Sequence, residues 1–108
     1  MAIVSDMNFG DLLSRRPLAL APMAGVSDRP FRMLCRRLGA DYAVSEMITS
    51  QTSLWSSRKT RTRLNMHADR GPLIIQIAGA DPHAMADAAQ RAAPHGADVI
   101  DINMGCPA

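Results

Sequence analysis

The chain has 108 residues, 47% of them apolar and 20% charged, a balance that fits a folded globular domain and excludes a disordered one. Its net charge of +2 does not argue for nucleic-acid binding, which needs a concentrated basic patch rather than a mild excess. No stretch approaches the ~18 apolar residues of a membrane-spanning helix, and two cysteines, Cys35 and Cys106, do not make a secreted disulfide scaffold.

Ser14-Arg15-Arg16 followed by PLALAPMAG imitates a twin-arginine export signal. The apolar stretch is broken by Pro17 and Pro22, runs into Asp28-Arg29 and has no A-x-A cleavage site, so a reducing, cytoplasmic location is expected instead. The first strand-length run is LALAPMA, residues 18–24. DRPFRMLCRRLGA then places Phe31, Leu34, Cys35 and Leu38 at i, i+3, i+4, i+7, one face of a helix. Ser27 or Asp28 caps its start, Pro30 suits its first turn and Gly39 ends it. On that face Cys35 reads as a small buried hydrophobe.

YAVSEM, residues 42–47, is a second strand-length run, and the segment after it reads as a helix then a loop, anchored by Leu54, Trp55 and Leu64. Within it SSRKTRTR carries Arg58, Lys59, Arg61 and Arg63. Such a run reads first as a solvated surface, with contact to RNA phosphates as the alternative. PLIIQIAG, residues 72–79, is the third run. DPHAMADAAQRAAPHG then predicts a helix with Met85, Ala88, Ala89 and Ala92 on one face, Asp81 as N-cap and Gly96 as stop. DVIDINMG, residues 98–105, is the fourth.

Strand and helix alternating in this way is the βαβ rhythm, which makes neighbouring strands parallel and covers the sheet with helices. The fold class is therefore α/β, with no linker or low-complexity tract dividing it. Parallel strands place their C-terminal ends on one edge, where α/β proteins bind ligands. At that edge lie Pro22-Met23-Ala24-Gly25, Ser45-Glu46, Gln76 with Gly79, and Asn103 with Cys106. Alternation puts Ile74 and Gln76 on one face, and Asp101 and Asn103 on one face, while Ile75, Ile77, Ile100 and Ile102 pack under helices. Gln76 and Asn103 either satisfy backbone groups at strand ends or meet a flat heterocycle with edge donors and acceptors. Cys106, between Gly105 and Pro107 in a loop beyond the strand, is accessible. Spacing assigns it no partner base, so its chemistry is that of a neutral thiol able to donate a proton.

APMAGVSDRPFR (residues 21–32), VSEM (44–47), QIAGADP (76–82) and DINMGCPA (101–108) together resemble the tRNA-dihydrouridine synthases, especially the bacterial B-type branch. The similarity runs from about Leu18 to Ala108. It implies a flavin-binding TIM barrel that reduces a uridine of tRNA to 5,6-dihydrouridine with FMN and NADPH, with no metal and no membrane partner. Carried over by motif, Pro22, Met23 and Ala24 line the flavin, Gln76 hydrogen-bonds its polar edge, Cys106 is the catalytic acid and Asn103 faces the substrate uracil. Glu46 has a supporting role at the pocket.

A (βα)8 barrel has eight units and about 250 residues, of which this chain supplies about three and a half. Residues 1–108 are thus expected to be the N-terminal portion of an FMN-binding barrel, cut just after its active-site loop. Alone, the piece is expected neither to hold FMN tightly nor to reduce tRNA. Two rival readings are another flavin barrel such as a dihydroorotate dehydrogenase, which APMAGVSDRPFR argues against, and a truncated non-catalytic module binding RNA through residues 58–63.

Overall fold

A computed structural model describes residues 8–66, 69 and 71–106; Pro107, expected to lock the loop after Cys106, lies outside them. The elements run α1 (Phe9–Ser14), β1 (Ala19–Leu20), α2 (Arg29–Arg37), β2 (Tyr42–Val44), β3 (Ile48–Thr49), α3 (Arg58–Arg63), β4 (Leu73–Ala78), α4 (Pro82–Ala92) and β5 (Val99–Asn103). Single 3-10 turns at Thr52–Leu54 and Ala93–His95 precede α3 and follow α4.

Local chemistry accounts for the helix ends. Asp28, not Ser27, caps α2, its Oδ1 accepting the Phe31 N–H at 3.0 Å, and Asp81 caps α4 through Ala84 N–H at 2.7 Å. Pro30 and Pro82 fill first-turn positions where no N–H is needed. Gly39 (φ 113°) and Gly96 (φ 91°) supply the left-handed backbone that returns the chain to the sheet. The short α1, which no periodic pattern announces, is capped by Asn8 and buries Leu12, and Phe9 stacks edge-on against Tyr42 at 5.3 Å.

All strand pairs are parallel. β1 lies beside β2; β2 and β3 share one edge of β4; β5 takes the other edge. The run expected as one strand over residues 42–47 is therefore a strand only to Val44; a bulge at residues 45–47 follows, and a second short strand, β3, begins beyond the run at Ile48. From Val44 to Ile48 the chain advances four residues while β4 advances three, from Ile74 to Ile77.

A Gly-Ala-Asp triplet recurs at the start of two strands, at 39–41 and 96–98. In each, the aspartate clamps the preceding strand. Asp41 Oδ2 accepts Leu18 N–H at 2.7 Å and Asp98 Oδ2 accepts Leu73 N–H at 2.8 Å, while their own N–H groups return to the Leu18 and Leu73 carbonyls.

The core is the helix-side face of the sheet: Ile48, Ile75 and Ile77 meet Ala88 and Ala92 of α4, together with Leu64 and Met66. Trp55, Met85 and Ile100 pack on its flank. Ile102, expected under a helix, is 56% exposed: α4 packs over β4, and on β5 it is Ile100, not Ile102, that joins the flank of the core. The expected apolar face of α2 is also corrected. Leu34 and Leu38 are exposed and Cys35 is only half-buried, while the buried residue of that helix is Arg32, which finds acceptors on the inner side. Leu54 is likewise exposed, leaving Trp55 and Leu64 as the anchors. Among the described residues no helix is long and apolar enough to cross a membrane.

Candidate functional site

The bulge between β2 and β3 shapes the C-terminal edge. Ser45 N–H still reaches the Ile74 carbonyl, but the next ladder donor, Gln76 N–H, is taken by the Ser45 hydroxyl at 3.0 Å. A side chain thus replaces a backbone acceptor for the Gln76 N–H, and Ser45 is fully buried. The extra residue frees Glu46 and Met47 to point along the edge rather than into the ladder.

Gln76 is buried at the centre of β4. Its partner in register on β5 is Asp101, whose Oδ2 accepts from Gln76 Nε2 at 2.5 Å. A carboxylate only accepts, so this contact fixes which end of the amide faces it. Gln76 Oε1 is thereby aimed at Asn103, which donates from Nδ2 at 3.3 Å. Asn103 Nδ2 also reaches Met47 Sδ at 3.4 Å. Its Oδ1 accepts both Gly105 N–H and Cys106 N–H at 3.0 Å, an Asx turn that curls the chain and sets Cys106 in an exposed loop.

Residues 23–27 form a turn tied by its own serine. Ser27, fully buried, accepts Met23 N–H at 2.7 Å through its hydroxyl, which donates back to the Met23 carbonyl. Behind it, buried Arg32 donates to the Ser27 carbonyl at 2.9 Å and doubly to Asp69 Oδ2 at 3.0 and 3.1 Å. At the tip, Gly25 N–H donates to Glu46 Oε1 at 2.7 Å. Gly25 sits at φ 79°, a left-handed backbone state that glycine adopts without the steric cost of a Cβ.

Arg63 donates to the Met47 carbonyl at 2.5 Å and pairs with Glu46 at 3.4 Å. It belongs to the edge rather than to a solvated surface. Arg58, Lys59 and Arg61 remain exposed.

Gln76, Asn103 and Cys106 therefore form one continuous hydrogen-bonded unit. Pro22, Met23 and Ala24, with Met23 39% exposed, join that unit through Gly25, Glu46 and the Ser45–Met47 bulge. The sequence reading placed Ser45 at this edge without its bond to Gln76 and offered Arg63 only as a surface or phosphate-contacting residue; it did not anticipate Ser27 or Arg32 as contributors, and it placed Asp101 on the Asn103 face without its role against Gln76. The signal for Asp101 was its register opposite Gln76, which only strand pairing reveals. Among the described residues no group of three or more His, Cys, Asp or Glu is placed to hold a metal.

Such an edge offers a buried amide with a fixed orientation and a loop thiol open to a ligand. Residues 19–108 match the family model described as dihydrouridine synthase (Dus). The chain is 63% identical over 105 residues to tRNA-dihydrouridine synthase B of Pseudomonas aeruginosa, covering 97% of this chain and 32% of that protein. Identity to the protein of the same name is 54% in Pseudomonas syringae pv. tomato (97% and 31% covered) and 52% in Vibrio vulnificus (94% and 32%). The chain spans about a third of the length of these curated relatives.

Proposed function

Because the chain belongs to the dihydrouridine synthase family, we propose that it forms the N-terminal part of the flavin-binding barrel of a cytoplasmic tRNA-dihydrouridine synthase, which reduces a uracil base of tRNA with FMN and NADPH. The parallel βα order and the gathering of Gln76, Asn103 and Cys106 at the C-terminal edge support that placement. The observation that carries it is the double acceptance by Asn103 Oδ1, which ties the Cys106 loop to Gln76.

The residues present fit a flavin. After its bonds to Asp101 and Asn103, Gln76 keeps one N–H and one carbonyl lone pair without a protein partner among the described residues. That is the pairing an isoalloxazine edge requires. Pro22, Met23 and Ala24 supply the apolar wall from the serine-tied turn. FMN, when bound and reduced, supplies a hydride for C6 of the uracil. Cys106 holds a proton at Sγ and delivers it to C5, leaving a thiolate and the saturated C5–C6 bond. Asn103 reaches the uracil by giving up its 3.4 Å contact to Met47 Sδ, a weak acceptor exchanged for a carbonyl oxygen. The target base must leave its stack to enter such an edge.

The test is Cys106→Ala in the intact enzyme. Dihydrouridine formed in tRNA should fall by about 10²–10⁴-fold, while NADPH still bleaches the flavin at the wild-type rate. Oxidation of free dihydroorotate, with tRNA unmodified, would overturn the reading in favour of the rival dehydrogenase; salt-sensitive tRNA binding with no flavin absorbance would favour the non-catalytic module.

A further inference from the structure

Beside the serine-tied turn lies a cleft of about 670 Å³ lined by Ala24, Gly25, Glu46, Arg58, Lys59, Thr62 and Arg63. Its charges divide into two kinds. Glu46 and Arg63 face each other at 3.4 Å and are further held by Gly25 N–H and the Met47 carbonyl. They cancel and are committed to the fold. Arg58 and Lys59 are exposed and form no ion pair with any described residue. From Met47 to Ala68 the sequence has no aspartate or glutamate, and the next one, Asp69, is already taken by Arg32 and Arg29. The cleft therefore carries two uncompensated cations, and it shares Ala24 and Gly25 with the turn proposed to hold the flavin.

We propose that Arg58 and Lys59 form a phosphate-binding cleft for the RNA backbone next to the reduced nucleotide. The inference rests on the proposed function and assigns its substrate a second point of contact. A flipped base places its flanking phosphates close to the pocket it enters, and a site reading phosphates needs unpaired cations in an open, sequence-indifferent groove. A fixed Glu46–Arg63 pair at the floor keeps the groove's shape without cancelling its outer charge. A phosphate group on NADPH is the other source of the same chemistry, and the two sources predict different readouts.

The experiment compares wild type, Arg58→Ala/Lys59→Ala, and Arg61→Ala, whose residue is exposed but does not line the cleft, in the intact enzyme. Filter binding of unmodified tRNA should weaken on the order of tenfold in the double variant at fixed salt, and the slope of log Kd against log salt should fall by about 2. Arg61→Ala should match wild type, as should the rate of flavin bleaching by NADPH in the double variant. Flavin absorbance reports that each variant is folded, and a Lys59→Arg variant should retain binding. Unchanged tRNA affinity and salt slope in a folded double variant, or a loss confined to the NADPH reaction, would overturn the proposal. If wild type makes no dihydrouridine at all, the underlying function is wrong instead.

Discussion

Asp101 Oδ2 stands 2.5 Å from Gln76 Nε2, and this contact decides the orientation of every amide that follows it along the edge. With the carboxylate occupying the nitrogen end, Gln76 Oε1 must face Asn103 Nδ2, and Asn103 Oδ1 must face the Gly105 and Cys106 amides. One acceptor-only group thus sets the polarity of a chain that ends at the reactive loop.

Asp101→Leu removes that reference and should lower kcat for tRNA reduction on the order of tenfold to a hundredfold, through misplacement of Cys106. Asp101→Asn keeps the size and one acceptor and should cost less. Cys106 alkylation by iodoacetamide, measured alongside turnover, should change in the same order. Wild-type turnover and alkylation in both variants would show that Asp101 is a bystander.

Ser45→Ala leaves the buried Gln76 N–H without an acceptor at the bulge. The expected cost is about 1–3 kcal/mol of stability, read as a lower urea midpoint with unchanged m-value. A midpoint equal to wild type would mean that the ladder closes around the bulge without the hydroxyl.

Gly79 follows β4 where the chain passes Ser50. A Cβ placed on it would lie 1.9 Å from Ser50 Oγ and 2.7 Å from Ser50 Cβ, so Gly79→Ala must push β3 away from β4. A drop of several degrees in Tm is expected, and pairing it with Ser50→Gly should recover much of the loss. No rescue by the second substitution would place the strain elsewhere.

Asp87 accepts from Arg91 and from the Thr52 hydroxyl, and these hydrogen bonds, Arg91's first, hold its carboxyl below its ordinary pKa. A depressed carboxylate stabilises the fold at pH values above the unfolded pKa, and the contribution is lost as pH falls through the folded one. Stability measured from pH 5 downward should therefore decline more steeply in wild type than in Asp87→Asn. Parallel curves would remove Asp87 from the acid response.

The α/β class, both long helices with the Asp81 cap of the second, and the convergence of Gln76, Asn103 and Cys106 were legible because each rests on local periodicity or on strand direction. What was not legible depended on partners far away in sequence. Arg32 on α2 is buried because Asp69 and the Ser27 carbonyl await it, and nothing near residue 32 says so. Ile102 reads as a core residue by alternation, yet is exposed while Ile100 on the same strand face packs against the core. The break in residues 42–47 was hidden because a bulge leaves the apolar run intact and shows itself only as one residue too many against β4.

The two Gly-Ala-Asp clamps lie at the N-terminal ends of the strands, opposite the edge that carries the proposed chemistry. One fastens β2 to β1 and the other β5 to β4, so two of the sheet's pairings are pinned at their starts, like stitches at a hem. Loops at the other end can then lengthen, change charge or exchange residues without letting neighbouring strands slip. New specificities can arise there while the seam beneath stays closed.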